Sequence, residues 1–104
     1  MAQDKRTFSA LVGAGGMAVV TMQTNQLATW VISQVSVELT TAPAGATCAL
    51  RHNGYLVTVL IPTGDAATGD PPVTLLPGDN ATVTWTGCTP GTVGKVLIYF
   101  DDGK

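Results

Sequence analysis

The chain has 104 residues, which is enough for one domain and too few for two. Apolar residues make up 45% of it and charged residues 12%, so it can fill a core but carries about half the usual share of charge. The net charge of −2 and the scattered basic residues argue against nucleic-acid binding, and no apolar run is long enough to cross a membrane.

The first residues of the chain mix apolar side chains with glycines. Asp4 and the glycines at 13, 15 and 16 interrupt what would otherwise resemble a signal peptide, so synthesis in a cytoplasm is expected. We interpret residues 1–16 as a short N-terminal arm and residues 17–104 as the folded domain. The arm is expected to order on a neighbouring molecule through three apolar side chains, Phe8, Leu11 and Val12, and to be dispensable for folding.

Two strands are predicted next. Ala18–Gln23 forms the first, Asn25-Gln26 gives a turn, and the second runs from Leu27 to Leu39. Its odd positions form one apolar face, made of Val31, Val35, Val37 and Leu39. Trp30 and Ile32 point the other way, which predicts a bulge near Ser33 and makes these two side chains candidates for contact with a partner.

The strongest local signal is Asn53-Gly54, which lies between two runs rich in strand formers, Thr47–His52 and Tyr55–Leu60. Asn-Gly is the preferred pair for a two-residue type I′ hairpin turn, because both residues adopt positive φ. A regular ladder from this turn places His52 opposite Tyr55, Leu50 opposite Val57 and Cys48 opposite Val59. Cys48, Leu50, Val57 and Val59 are then expected to face the core.

The C-terminal half gives three further strands. Residues 61–72 are predicted as a loop, followed by a short strand over residues 73–75. Residues 81–86 alternate cleanly, so Ala81, Val83 and Trp85 are expected to face the core and the threonines between them to face solvent or a partner. Residues 95–100 form the last strand. The whole pattern predicts an all-β fold, a single antiparallel β-sandwich of about seven strands.

No catalytic, cofactor-binding or metal-binding residues are predicted. His52 is the single histidine and flanks a turn, and the aspartates lie in ordinary turn sequences with no calcium-loop spacing. With two cysteines in the chain, Cys48 and Cys88, two reduced thiols are expected, and a disulfide between them is the alternative.

Three segments resemble small virion proteins of tailed phages that infect actinobacteria. The run PPVTLLPGDNATVTWTGCTPG at 71–91 carries the main likeness, and WVISQVSV at 30–37 and CALRHNG at 48–54 are similar to the same group. The match spans about residues 27–100. The resemblance implies a structural component of a virus particle and no catalytic residues.

From this resemblance and the low charge we expect a non-enzymatic virion protein. The main hypothesis is a capsid decoration or minor capsid protein that cements the head shell by docking on the major capsid protein or other virion proteins, as a homo-oligomer such as a trimer. The alternative is a tail-associated host-adhesion module that binds cell-wall carbohydrate. Neither hypothesis involves a cofactor, nucleic acid or a membrane.

Overall fold

The computed structural model describes residues 3–23 and 29–101, with backbone only at residues 3–4 and 69–72. The turn predicted at Asn25-Gln26 and the start of the long strand at Leu27 lie outside the described residues. The strands within them, in chain order, are β1 Gln3–Leu11, β2 Ala18–Gln23, β3 Trp30–Leu39, β4 Thr47–His52, β5 Tyr55–Leu60, β6 Gly64–Leu75, β7 Asn80–Thr86 and β8 Val93–Asp101.

The strands form two four-stranded antiparallel sheets packed face to face. The first sheet has the order β1-β8-β3-β6 and the second sheet has the order β2-β7-β4-β5. The inward side chains of both sheets make one hydrophobic core, and the edge strands approach each other on both sides, β1 beside β2 and β5 beside β6. The predicted all-β sandwich is therefore confirmed.

The predicted boundary between an arm and a domain is not a boundary in the structure. β1 lies within the segment assigned to the arm and pairs with β8 along its whole length, which adds an eighth strand among the described residues to the seven predicted. Val12 follows β1, is 1% exposed, and joins the backbone of the loop before β8. The first residues are thus part of the sandwich, because they cover the side of β8 that faces away from β3.

The predicted bulge in β3 is present, and it changes which side chains face the core. The register of β3 against both neighbouring strands shifts between Ile32 and Gln34, so Ser33 is the extra residue. One extra residue inverts the alternation of side chains. Trp30 and Ile32 therefore face the core together with Val35, whereas Val31 is exposed, and the expectation that Trp30 and Ile32 point away is wrong.

The Asn53-Gly54 turn is confirmed, but the ladder behind it is not regular. Asn53 and Gly54 have φ of 51° and 87°, and His52 lies opposite Tyr55 as predicted. A shift between Leu50 and Arg51 then makes Val57 an unpaired bulge residue.

The bulge corrects the predicted register and facing of this hairpin. Leu50 pairs with Thr58 and Cys48 pairs with Leu60, each one residue beyond the predicted partner. Cys48 and Leu50 face the core, but Val57 and Val59, which were predicted to join them, are 38% and 64% exposed.

The segment predicted as a loop over residues 61–72 is mostly strand. β6 begins at Gly64 and continues through Pro71 and Pro72 to Leu75. It pairs with β3 in two stretches, separated by residues 69–72 opposite the β3 bulge. Proline lacks the N–H that a ladder needs, and it is tolerated here because β6 is the edge strand of the first sheet.

Trp85 of β7 lies at the centre of the core and is fully buried, as predicted. Its indole Nε1 donates a hydrogen bond to the Pro62 carbonyl oxygen at 3.0 Å. Its ring covers Gly94 of β8 so closely that a Cβ at this glycine would lie 2.8 Å from the ring. The absence of a side chain at Gly94 therefore makes room for the largest fully buried side chain among the described residues.

Candidate docking surface

The outer side of the second sheet is a surface of threonine and small apolar side chains. Two cross-strand rows define its centre. The first consists of Val19, Thr84, Ala49 and Val59. The second consists of Thr21, Thr82, Arg51 and Leu56. With the flanking pair Thr47 and Thr86, these ten residues are called the threonine face.

The threonine face follows from the alternation of its strands. In β7 the residues at 81, 83 and 85 are fully buried and the threonines between them are half-buried. In β2 the burial alternates in the same way, so Val19 and Thr21 turn outward. Threonine is favoured on such a surface, because its branched side chain suits a strand. Across the sheet, the hydroxyls of Thr47 and Thr86 are hydrogen-bonded to each other.

The two outer surfaces of the sandwich differ sharply in charge. On the threonine face only Arg51 is charged. On the outer side of the first sheet, by contrast, the rows contain four charged residues, Lys5, Glu38, Lys95 and Asp101. Charged side chains are depleted at the centres of protein interfaces, because their water must be removed on association. Of the two surfaces, the threonine face therefore has the composition of an interface.

One border of the threonine face is distinctly apolar. Leu56 and Val59 of β5 are 58% and 64% exposed, and Ile61, just after β5, is 60% exposed. Large apolar side chains that are exposed singly are common, but a contiguous group of them marks a contact surface.

The five side chains predicted to contact a partner differ in how exposed they are in the structure. Val12, Trp30 and Ile32 are 1%, 6% and 0% exposed and belong to the core of their own chain, so none of them is available on the surface. Phe8 is partly buried against the same core, and Leu11 is 65% exposed at the end of β1. The structure thus brings these residues to the first sheet and the core, away from the threonine face.

Sequence reasoning found only part of the threonine face. The alternation of β7 placed Thr82, Thr84 and Thr86 outward, and the structure confirms this. The exposure of Leu56 and Val59 was missed, because the apolar run of β5 has no alternation that identifies its outer side.

His52 and Asp79 join the β4–β5 hairpin to the β6–β7 turn, which connects the two sheets. His52 Nε2 lies 3.1 Å from Asp79 Oδ2, which also accepts the Leu76 N–H at 3.1 Å. The Asn80 N–H donates to Asn53 Oδ1 at 2.9 Å, and the Asn53 N–H donates to the Asn80 carbonyl oxygen at 2.9 Å. The single histidine of the chain thus holds the β4–β5 turn against the β6–β7 turn.

Asp79 should make the stability of the protein depend on pH. Hydrogen bonds from the Asn53 side chain, the Leu76 backbone and His52 hold the pKa of its carboxyl below the usual 3.8. Because the folded pKa is lower than the unfolded one, the contribution is fully present above about pH 4 and is lost as the pH falls through the folded pKa. Denaturant unfolding should show Asp79→Asn to be less stable than the natural chain near neutral pH, and the difference should shrink below about pH 4. A difference that stays constant down to pH 2 would contradict this role.

The two thiols are poor nucleophiles. Burial raises the pKa of Cys48 to about 12, and burial also raises the pKa of Cys88. A thiol reacts as the thiolate, so neither group is primed for attack at neutral pH. Both cysteines are free in the structure; Cys48 faces the core and Cys88 lies in the loop after β7.

The described parts of the chain are residues 3–23 and 29–101. Within these ranges no three His, Cys, Asp or Glu side chains come together in a way that could hold a metal ion. No helix in the same ranges is long and apolar enough to cross a membrane.

Comparisons with known proteins support the fold and go no further. No family model matches the chain, and no curated protein matches it. Among solved structures, the chain is similar to the crystal structure of FLHE, with a TM-score of 0.61 and 14% identity over 96% of this chain and 98% of that one. At this identity the likeness shows a shared fold alone.

A second solved structure is a virus-like particle of the extra small virus of the giant freshwater prawn Macrobrachium rosenbergii, determined by cryo-EM. The TM-score is 0.42 and the identity 14%, over 100% of this chain and 82% of that one. A likeness this weak supports no argument about function.

Proposed function

We propose that the chain is a non-enzymatic structural protein of a virus particle, most simply a capsid decoration or minor capsid protein that docks on the major capsid protein through the threonine face. The observation that carries the docking part is the contrast between the two outer surfaces, since one sheet has a single charge, Arg51, on its outer rows. The virion part is supported by the sequence resemblance over residues 71–91.

The proposed mechanism is adhesion without chemistry. Burial of apolar surface contributes about 25 cal/mol per Å², so the side chains of Leu56 and Val59 can stabilise a contact with coat protein at each site of a lattice. The outward threonines keep the surface wettable before assembly, and their hydroxyls can hydrogen-bond to partner groups after it. The charge-rich first sheet would then face solvent.

Histidine and cysteine side chains often act in catalysis, but the histidine of this chain is hydrogen-bonded to an aspartate and its two cysteines are buried. His52 is hydrogen-bonded to Asp79 of the β6–β7 turn, and both thiols have raised pKa values. A sugar-binding platform of Tyr55, Trp85 and Tyr99 would support cell-wall adhesion, but Trp85 is fully buried, and Tyr55 and Tyr99 lie in different sheets. These observations favour a shell protein over the tail-associated adhesion module.

The test is binding to purified particles of the virus that carries this chain. Thr84→Lys puts a charge at the centre of the threonine face, and should weaken binding about tenfold or more, which corresponds to about 1.4 kcal/mol. Thr7→Lys is the matched control, because Thr7 is exposed on the outer side of the first sheet, and it should bind as the natural chain does.

Three results would contradict the proposal. Loss of binding with Thr7→Lys but not with Thr84→Lys would place the contact on the other sheet. Mass spectrometry that detects no copies of the chain in purified particles would show that it is not a virion protein. Retention on host cell-wall glycan, with no binding to particles, would favour the adhesion module.

A further inference from the structure

β5 is an edge strand with an unusual lack of protection. β4 pairs with one side of its backbone; β6 of the first sheet approaches the other side, but no strand in the described part of the chain pairs with it. The strand carries no charged residue and no proline. Of its side chains, Tyr55, Leu56, Val57 and Val59 are between 38% and 80% exposed. An open edge with these properties readily pairs with another strand.

The other edges of the sandwich are better defended. β1 carries Lys5 and Arg6, and β6 carries Pro71 and Pro72 with a long irregularity opposite the β3 bulge. β2 is also uncharged, but Val19 is its one exposed large apolar side chain, so it presents less apolar surface than β5 does. β5 does contain the bulge at Val57, yet this bulge exposes another apolar side chain. β5 is therefore the least protected of the edge strands.

We propose that β5 of one copy pairs with β5 of a second copy, antiparallel across a two-fold axis. Self-pairing is chemically permitted, because an uncharged strand places no like charges opposite each other. An antiparallel pair of identical strands is also self-complementary, so a closed dimer forms and no further copies are recruited. A second copy also brings its own Leu56 and Val59 to the seam, where these exposed apolar side chains can pack against those of the first copy.

The dimer would strengthen the proposed docking on the capsid, and this role of the dimer rests on the proposed function. Joining two β5 strands fuses two second sheets in the order β2-β7-β4-β5-β5-β4-β7-β2. The apolar borders formed by Leu56 and Val59 then meet at the seam, and the two threonine faces become one continuous surface. Two linked contact surfaces hold a lattice more tightly than either does alone, since the second contact forms at high effective concentration.

The test is the oligomeric state of the full chain in solution, measured by analytical ultracentrifugation over a range of concentrations. The natural chain should sediment as a dimer. Val59→Lys places two ammonium groups at the seam and should raise the dimer dissociation constant about tenfold or more. Val19→Lys is the matched control, because Val19 lies in the same cross-strand row at the opposite edge, is 45% exposed, and should leave the dimer intact. Circular dichroism of both variants should match the natural chain, since both positions are at the surface.

Three outcomes of the sedimentation experiment would overturn the pairing. A natural chain that stays monomeric at high concentration, or that forms a trimer, contradicts a two-fold β5 seam. Dissociation by Val19→Lys alone assigns the contact to β2. Particle binding is measured separately, so the two proposals can fail independently: a monomer that binds particles removes only the dimer, and a dimer that ignores particles removes only the virion function.

Discussion

Replacing Trp85 with alanine should lower the free energy of unfolding by about 3–5 kcal/mol. The side chain is fully buried and its ring fills the space above Gly94, where no side chain of another residue can replace it. The substitution also removes the donor to the Pro62 carbonyl oxygen. Urea unfolding followed by circular dichroism measures the loss.

A graded variant separates packing from hydrogen bonding at this position. Trp85→Phe keeps an aromatic ring against Gly94 but has no N–H for Pro62, so its cost should be smaller than that of alanine. If Trp85→Ala costs less than about 1 kcal/mol, the ring does not pack in the core as the structure has it.

Deletion of residues 1–16 should leave the chain without a stable fold. The deletion removes β1, which pairs with β8 over nine residues, and it removes Val12, whose burial alone contributes about 1.5–3 kcal/mol. It would also expose the part of the core that Phe8 and Ala10 cover. A domain of this size has only about 5–15 kcal/mol of net stability, so these losses together are expected to exceed it. Circular dichroism and thermal unfolding of the truncated chain test this.

Two neighbouring residues provide a milder version of the same test. Val12→Ala should cost about 2 kcal/mol, because the side chain is 1% exposed. Leu11→Ala should change stability by less than about 0.5 kcal/mol, because that side chain is 65% exposed. A truncated chain that unfolds cooperatively at a similar temperature to the intact one would restore the view of residues 1–16 as a dispensable arm.

The charge contrast between the two sheets connects the fold to the proposed assembly. In a sandwich, both outer surfaces are built from the alternate residues of strands whose other residues fill the core. Stability therefore constrains the inward positions and leaves the outward ones open to selection for contact. On the second sheet, the outward positions carry threonine, alanine, valine and leucine, with Arg51 the one charge in the two central rows.

The sequence by itself determined the features that depend on neighbouring residues. Alternation over residues 81–86 is a local property and correctly placed Trp85 inward and Thr84 outward. The Asn53-Gly54 turn was equally readable, because positive φ at two adjacent residues is a demand of the turn alone. The all-β class followed from the same period of two.

Only the tertiary structure decided the features that depend on distant partners. β1 has no clean alternation in its sequence and becomes a strand because β8 offers it an edge. The bulges at Ser33 and Val57 each displace the register by one residue, which moved Trp30 and Ile32 into the core and Val59 out of it. A strand inverts its facing with one inserted residue, and the position of that residue is fixed by packing across the sheet. For this reason the core of β7 was predictable from sequence, whereas the exposed apolar edge at β5 was not.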